Sequence, residues 1–264
     1  MRRKLVVGNW KLHGSLAQNK VLIASLLKNL RGLNTADFVI CMPYIYLFQA
    51  QALLTSSNIA WGAQNVSQFE EGAFTSSISA TMIAEFACKY AIIGHSERRA
   101  LSNESTQKAA IRFSRALSAG ITPIYCVGET LNEREAALSQ SVIESQILAI
   151  TRGLDDATFE GAKQLNAVVA YEPVWAIGTG ESASPQQAQV MHGFIRNLIA
   201  ERDAIFAQQV RIIYGGSVTP ENACEIMTMP DIDGCLVGRC ALEEDDFSRI
   251  CLIASNTQQC MIAS

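Results

Sequence analysis

Two ionisable side chains, Glu172 and His95, each stand directly behind a short β-forming run. Glu172 follows the run 167–171, and Pro173 behind it lacks a backbone N–H and so can end the strand. His95 follows the run 90–93 and one glycine. A carboxylate can take a proton from carbon while an imidazole polarises a carbonyl oxygen. This pair of residue types therefore suits proton abstraction next to a carbonyl group.

The charge of His95 depends on the helix that is expected behind it. Ser96 is a plausible N-cap, which puts the imidazole at a helix N-terminus. The positive end of the helix dipole disfavours an imidazolium, so we expect His95 to act as a neutral hydrogen-bond donor. A structural histidine that caps a turn is the alternative. The other two histidines, His13 and His192, are interpreted as structural or solvated.

Apolar residues follow Glu172 where a loop should be polar. They are Trp175, Ala176 and Ile177, and Gly178 comes next. We expect a flap, pivoted on proline and glycine, that excludes water from a reaction. An ordinary loop on the surface is the alternative.

Asn9 and Lys11 stand at the end of the first β-forming run. Being two positions apart, their side chains point to the same side of an extended backbone. A lysine at this place either reaches to water or faces the mouth of a pocket. In the second case it would neutralise the charge of an anionic ligand.

Eight β-rich runs alternate with segments of helical period. Several runs are continuously apolar, as expected for strands buried on both faces of a parallel sheet. The pattern predicts an α/β fold, a (β/α)8 barrel, with a doubly wound open sheet as the runner-up. No linker interrupts residues 1–264, which are predicted to form one domain with a frayed tail from about Asn256. The runs are 5–8, 38–42, 59–63, 90–93, 123–127, 167–171, 210–214 and 234–237.

Apolar stripes, together with residues typical of helix starts and ends, predict where the helices lie. Stripes run through residues 23–30, 143–154 and 191–198. Ser184 with Pro185 predicts a helix start, residues 219–221 repeat that signal, and Gly120 predicts a helix end.

Glycine-rich turns follow the last two runs. Gly215-Gly216-Ser217 stands after the seventh run and Gly238-Arg239 after the eighth. In a barrel these two loops commonly bind phosphate through backbone N–H groups, and Ser217 can add a hydroxyl. Two tight turns that need positive φ are the alternative.

The composition of the chain argues against a nucleic-acid-binding protein and against a membrane protein. The chain has 264 residues, 49% hydrophobic content and a net charge of −4, which leaves no electrostatic footprint for nucleic acid or an anionic membrane. No stretch approaches the ~18 apolar residues of a membrane span. The eight cysteines form no C-x-x-C pair, which predicts a cytoplasmic protein with reduced thiols and no metal site.

Four motifs resemble the triosephosphate isomerase family. They are GNWK at 8–11, GHSERR at 94–99, AYEPVWAIGTG at 170–180 and YGGSV at 214–218. They occur in order along the chain, and the third is close to diagnostic. The resemblance implies an isomerase of glycolysis and gluconeogenesis that interconverts dihydroxyacetone phosphate and D-glyceraldehyde 3-phosphate. It also implies a homodimer and no metal or organic cofactor.

The resemblance also assigns roles. Glu172 would be the base and His95 the electrophile, a pairing already established for triosephosphate isomerase. Asn9 and Lys11 would bind substrate, with Lys11 stabilising the enediolate and Glu97 supporting the site. Backbone groups would hold the phosphate, and they belong to Gly178, Ser217, Gly238 and Arg239.

Two departures from the family pattern stand out. Arg239 replaces a glycine whose N–H binds phosphate, and we expect a retained barrel with weaker phosphate affinity and lower turnover if the arginine distorts the cradle. Ser76 and Ser77 replace a Gly-Glu pair in the loop that reaches the partner subunit, where the glutamate would pair with the arginine matching Arg98. A weaker dimer is expected unless Glu70 or Glu71 substitutes.

These departures leave two alternatives to an active isomerase. One is a low-turnover barrel that binds a phosphate ligand or a partner. The other is a different phosphate-binding barrel enzyme, which the flap sequence disfavours.

Overall fold

The fold is a closed barrel of eight parallel strands whose neighbours follow the sequence order, and β8 pairs with β1. The structure is a computed structural model that describes residues 2–177 and 182–257. The barrel confirms the predicted (β/α)8 fold, and every predicted run becomes a strand. The open doubly wound sheet was wrong. The strands are β1 Lys4–Asn9, β2 Ala36–Met42, β3 Ile59–Ala63, β4 Tyr90–Ile93, β5 Thr122–Val127, β6 Val168–Tyr171, β7 Arg211–Tyr214 and β8 Gly234–Val237.

Helices connect the strands and form the outer layer. Short 3₁₀ turns cover Tyr44–Tyr46, Val174–Ala176 and Arg239–Leu242. The three predicted apolar stripes fall on α1, α7 and α9 and pack against the barrel. The α-helices of the described residues are α1 Leu16–Asn29, α2 Leu47–Leu54, α3 Ala80–Ala84, α4 Ser96–Leu101, α5 Thr106–Ser118, α6 Leu131–Glu135, α7 Ser139–Thr151, α8 Asp156–Gln164, α9 Pro185–Ala200, α10 Ala204–Gln209, α11 Ala223–Met227 and α12 Glu244–Ser255.

The strands are buried on both faces, which is why their sequences are continuously apolar. In β1, Leu5 and Val7 belong to the cluster inside the barrel, while Val6 belongs to the layer between barrel and helices. Cys126 and Ile213 also face the barrel interior. This filled interior leaves the carboxyl ends of the strands as the face on which a site can open.

Two helix-boundary predictions were confirmed and one was wrong. Ser184 caps α9 in a capping box with Pro185 in its first turn, and Gly120 has a φ of +72° behind α5. Residues 219–221, however, do not begin a helix, because α11 starts at Ala223. The side chain of Asn222 accepts a hydrogen bond from the N–H of Thr219, which holds this segment in a turn instead.

The described residues include part of the predicted C-terminal tail and seven of the eight cysteines. A frayed tail was predicted from about Asn256, but Thr257 is buried and its hydroxyl donates to the Ile253 carbonyl; residues 258–264 lie outside the described residues. Seven cysteines are free thiols, and Cys260 also lies outside the described residues. No helix in the described part combines the length and apolar character that crossing a bilayer requires.

Candidate active site

A cavity of about 670 Å³ opens at the carboxyl ends of the strands. It brings together eight of the nine residues proposed from the sequence, and the ninth, Gly178, lies outside the described residues. Side chains and backbone from β1, β4, β6, β7 and β8 therefore converge on one space, as the strand-end arrangement predicted. The eight are Asn9, Lys11, His95, Glu97, Glu172, Ser217, Gly238 and Arg239.

Glu172 is 2% exposed, and the two oxygens of its carboxylate are in different situations. Oε2 accepts a hydrogen bond of 2.9 Å from the backbone N–H of Ser96. Oε1 lies 2.9 Å from Nε2 of His95, and the imidazole stabilises the charge of this carboxylate. A fully buried carboxylate beside a cavity, with its charge held by a neighbouring imidazole, is a candidate for proton transfer.

Two glycines make room for Glu172. A Cβ atom at Gly215 would lie 2.9 Å from Cγ of Glu172, and one at Gly128 would lie 1.8 Å from its carbonyl oxygen. Gly215, Gly216 and Gly238 do not adopt positive φ, so the turn-geometry interpretation of these glycines was wrong. At Gly215 and Gly216 the reason for glycine is close approach, because a Cβ atom would lie 2.9 Å from Cγ of Glu172 and 2.1 Å from the hydroxyl oxygen of Tyr214.

Glu172 and His95 shift each other's pKa in opposite directions. Burial acts to raise the pKa of Glu172, but the imidazole, the N–H of Ser96 and Lys11 outweigh burial and lower this pKa below its usual value. Burial acts to lower the pKa of His95, but the carboxylates of Glu172 and Glu97 outweigh it and raise this pKa. The sequence predicted only the lowering effect of a helix dipole on His95, because it did not reveal the distance to Glu172.

His95 itself, and not Ser96, is the N-cap of α4, so the predicted cap was off by one residue. Its Nδ1 accepts a hydrogen bond of 3.2 Å from the N–H of Glu97. A nitrogen that accepts cannot carry a proton, which assigns the ring proton to Nε2 on the cavity side. This contact supports the predicted neutral donor while Glu172 favours protonation. The two influences on the charge of His95 therefore compete.

Lys11 reaches the cavity by a route that the sequence did not predict. Its φ is +51°, so the backbone is left-handed here and not extended. The N–H of Lys11 donates to Oδ1 of Asn9 at 3.1 Å, which stabilises this turn. Nζ of Lys11 lies 2.6 Å from Oε1 of Glu97, and this ion pair fixes the ammonium group at the cavity wall.

The start of the flap is anchored to a buried carboxylate whose role the sequence analysis missed. Glu129 is fully buried and accepts hydrogen bonds from Nε1 of Trp175 at 2.9 Å and the hydroxyl of Tyr171 at 3.1 Å. Burial raises its pKa. Ser217 donates to the carbonyl of Ala176 at 3.0 Å, so it also holds the flap. The only signal in the sequence was the position of Glu129 at the end of β5.

Arg239 occupies the cavity rim without distorting the backbone. It is exposed, begins the 3₁₀ turn Arg239–Leu242 and does not have a positive φ. Neither condition for a distorted cradle, a positive φ or a lack of room for the side chain, is met. Of the remaining histidines, His13 is exposed and His192 is buried in α9, and neither lines the cavity.

Comparison with known proteins identifies the family. The family model for triosephosphate isomerase matches residues 4–254. A triosephosphate isomerase of Thiobacillus denitrificans is 50% identical over 97% of this chain and 100% of its own length. The enzymes of Nitrosomonas europaea and Cupriavidus necator are 48% and 50% identical, over 97% and 95% of this chain and 99% of their own lengths. With this coverage and identity, the chain belongs to the triosephosphate isomerase family.

Proposed function

We infer that this chain interconverts dihydroxyacetone phosphate and D-glyceraldehyde 3-phosphate by proton transfer through an enediolate. The observation that carries this inference is the buried carboxylate of Glu172, whose Oε1 lies 2.9 Å from Nε2 of His95 in a cavity that also holds Lys11. Family membership over nearly the whole chain supports the same reaction.

Glu172 is the proposed base. Its lowered pKa keeps the carboxylate ionised at neutral pH, which a base requires. In the ligand-free site one oxygen is bound to the N–H of Ser96. To reach a substrate carbon, the side chain has to leave this N–H and turn into the cavity. The substrate's C1 and C2 then exchange a proton through the same carboxylate.

His95 is the proposed electrophile. With Nδ1 accepting from the N–H of Glu97, the proton on Nε2 is available to a carbonyl oxygen of the substrate. A neutral imidazole can both donate this proton to the developing enediolate and take one back from the adjacent hydroxyl. When Glu172 turns towards the substrate, the anion that raises the pKa of His95 moves away, and the neutral form becomes more favourable.

Lys11, Asn9 and Glu97 are proposed to stabilise charge. Lys11 supplies the cation for the enediolate oxygen, where a preorganised charge in a dry site is most effective. Asn9 holds the backbone turn that presents Lys11 and lines the cavity beside it. Glu97 fixes the ammonium group through the 2.6 Å ion pair.

The phosphate is proposed to bind across the loops behind β7 and β8. Backbone groups of Gly178, Ser217, Gly238 and Arg239 form this cradle in our proposal. Closing the flap over the phosphate excludes water, and a dry site strengthens each charged contact and protects the enediolate. Hydrogen bonds of Trp175 with Glu129 and of Ala176 with Ser217 hold the start of the flap, and its residues 178–181 lie outside the described residues.

The test is an assay that couples either triose phosphate to the formation of the other. We expect Glu172→Gln to lower kcat by about a thousandfold, since general base catalysis commonly contributes 10²–10⁴-fold. Glu144→Gln, an exposed position on α7, is the matched control and should retain parental kcat. An inactive wild-type protein, or a Glu172→Gln variant within tenfold of it, would refute the assignment. The low-turnover alternative is not favoured, because its main reason was distortion by Arg239.

We also propose a homodimer, one cytoplasmic domain and reduced thiols, for which the resemblance to the family and the free cysteines are the support. Arg98 is paired with Glu104 of its own chain at 2.6 Å, so it has a counterion even though Ser77 lacks a charge. Ser76 adopts a φ of +73°, a conformation that glycine would adopt more easily. Glu70 pairs with Arg115 of its own chain.

The weaker dimer stays a prediction, and its reason is the charge that Ser77 cannot supply in the loop proposed to reach the partner subunit. Sedimentation measured from micromolar to nanomolar concentration tests it. Dissociation within this range is expected, and a dimer that persists at nanomolar concentration would contradict the prediction.

A further inference from the structure

We propose that the guanidinium group of Arg239 is a second cation for the substrate's phosphate and tunes the site towards doubly charged phosphate esters. The proposal rests on the proposed function and extends it from the backbone of the cradle to this side chain. It reverses the expectation from the sequence, in which Arg239 weakens phosphate binding.

The first argument is the charge of the cavity. Its described lining contains two carboxylates, Glu97 and Glu172, and two permanent cations, Lys11 and Arg239. With Arg239 the formal charge is zero, and without it the charge is −1. A phosphate ester carries about −1.5 to −2 at neutral pH, so the arginine removes a net repulsion between site and ligand.

The second argument is the availability of the two cations. Lys11 is bound to Glu97 at 2.6 Å, and this partner offsets part of its charge. For Arg239, no carboxylate of residues 2–177 or 182–257 lies within ion-pairing distance, and its side chain is exposed at the cavity rim. Arg239 is therefore the cavity cation that retains its full capacity to bind an anion.

The third argument is the position of Arg239. The preceding residue, Gly238, is so close to Lys11 that a Cβ atom there would lie 3.4 Å from Cε and 3.7 Å from Nζ. The backbone on which Arg239 stands is thus beside the lysine that neutralises the ligand. A planar guanidinium group with several donors matches phosphate oxygens and can bind two of them at once.

The experiment measures binding of inorganic phosphate by isothermal titration to wild type, Arg239→Gln, Arg239→Lys and Arg239→Gly. Arg31→Gln is the control for net charge, because Arg31 is also exposed and lies outside the cavity. We expect Arg239→Gln and Arg239→Gly to weaken phosphate binding about three- to tenfold at low salt, the scale of one charge-assisted contact in partial contact with solvent. Arg239→Lys should recover only part of the affinity, because a lysine supplies the charge without the two parallel donors, and Arg31→Gln should keep all of it.

Salt and kinetics distinguish a phosphate contact from a structural role. The difference between wild type and Arg239→Gln should shrink as ionic strength rises, because solvent ions screen the contact. KM for the triose phosphate should rise by a factor similar to that of the phosphate Kd, and by more than kcat falls. A lost structural role would lower kcat and melting temperature without this salt dependence.

Equal phosphate affinity of wild type, Arg239→Gln and Arg239→Gly would overturn the proposal, as would an equal loss in Arg31→Gln. Because phosphate binding needs no turnover, the outcome is separate from that of the proposed function. Arg239-dependent binding by a protein that does not isomerise trioses would refute the function and leave this inference standing. Isomerisation with phosphate affinity independent of Arg239 would refute this inference alone.

Discussion

The position of the proposed base depends on a glycine from another strand, and Gly215→Ala tests this dependence. An added Cβ atom would lie 2.9 Å from Cγ of Glu172, while ordinary contacts begin at 3.4 Å. The base therefore has to move by about 0.5 Å, the difference between these distances. The carbonyl of Tyr171, 3.3 Å from the same Cβ, restricts relaxation of the Gly215 backbone itself.

The magnitude follows from the sensitivity of proton transfer to geometry. A misplacement of about 1 Å can cost about a hundredfold in rate. We therefore expect about a tenfold loss of kcat from half that displacement, equivalent to about 1.4 kcal/mol of activation free energy. KM should change less, because the phosphate contacts proposed for Ser217 and the loop behind β8 do not involve this position.

The assay is steady-state isomerisation with both triose phosphates, together with thermal unfolding. Gly161→Ala is the matched control, because a Cβ atom at Gly161 in α8 would meet no atom within 4 Å. It should retain parental kcat. If Gly215→Ala keeps kcat within twofold of wild type while remaining folded, the argument that Gly215 positions Glu172 is refuted.

Three further predictions concern buried ionisable groups. Burial lowers the pKa of His192 to about 3. The stability that its neutral form contributes is fully present above pH 6.5 and is lost as the pH falls towards 3. His192→Asn should therefore make the free energy of unfolding in urea depend less on pH in this range, whereas His13→Asn, at an exposed position, should leave that dependence unchanged. Glu104→Gln should lower the free energy of unfolding by about 3–5 kcal/mol, because two guanidinium groups lose the charge of their counterion, and an unchanged urea midpoint would contradict this. Burial raises the pKa of Glu129. The stability that this residue contributes is fully present below its pKa in the unfolded chain and is lost as the pH rises through its pKa in the folded protein. The melting temperature of Glu129→Gln minus that of wild type should therefore increase from pH 5 to pH 8, and a constant difference would contradict the raised pKa.

The strands could be predicted because runs of consecutive apolar residues indicate strands that are buried on both faces. Several runs are apolar without alternation, as β1 shows with Leu5, Val6 and Val7, and a barrel with helices outside buries both faces. The strand ends then placed Glu172, His95 and Lys11 on one rim. The strands can be recognised from neighbouring residues alone, and the barrel topology then brings the residues at the strand ends together.

The site's internal contacts were not predictable, because they join residues far apart in the sequence. The N–H of Ser96 reaches the carboxylate of Glu172 from another strand end, and Trp175 reaches Glu129 in the same way. The pKa of His95 was expected to fall because only the local helix was visible in the sequence. The left-handed φ of Lys11 likewise follows from its contacts with Asn9 and the cavity wall and not from its residue type.

The contacts of Glu172 explain how a carboxylate with a lowered pKa can still serve as a base for a carbon acid. The N–H of Ser96, His95 and Lys11 all stabilise its charge. Turning into the cavity breaks the contact with Ser96, and a hydrogen bond to a charged group is worth about 1.5–3 kcal/mol. Losing this contact raises the pKa of the carboxylate. The carboxylate is therefore stabilised in its contact with Ser96 and becomes more basic as it approaches the substrate carbon.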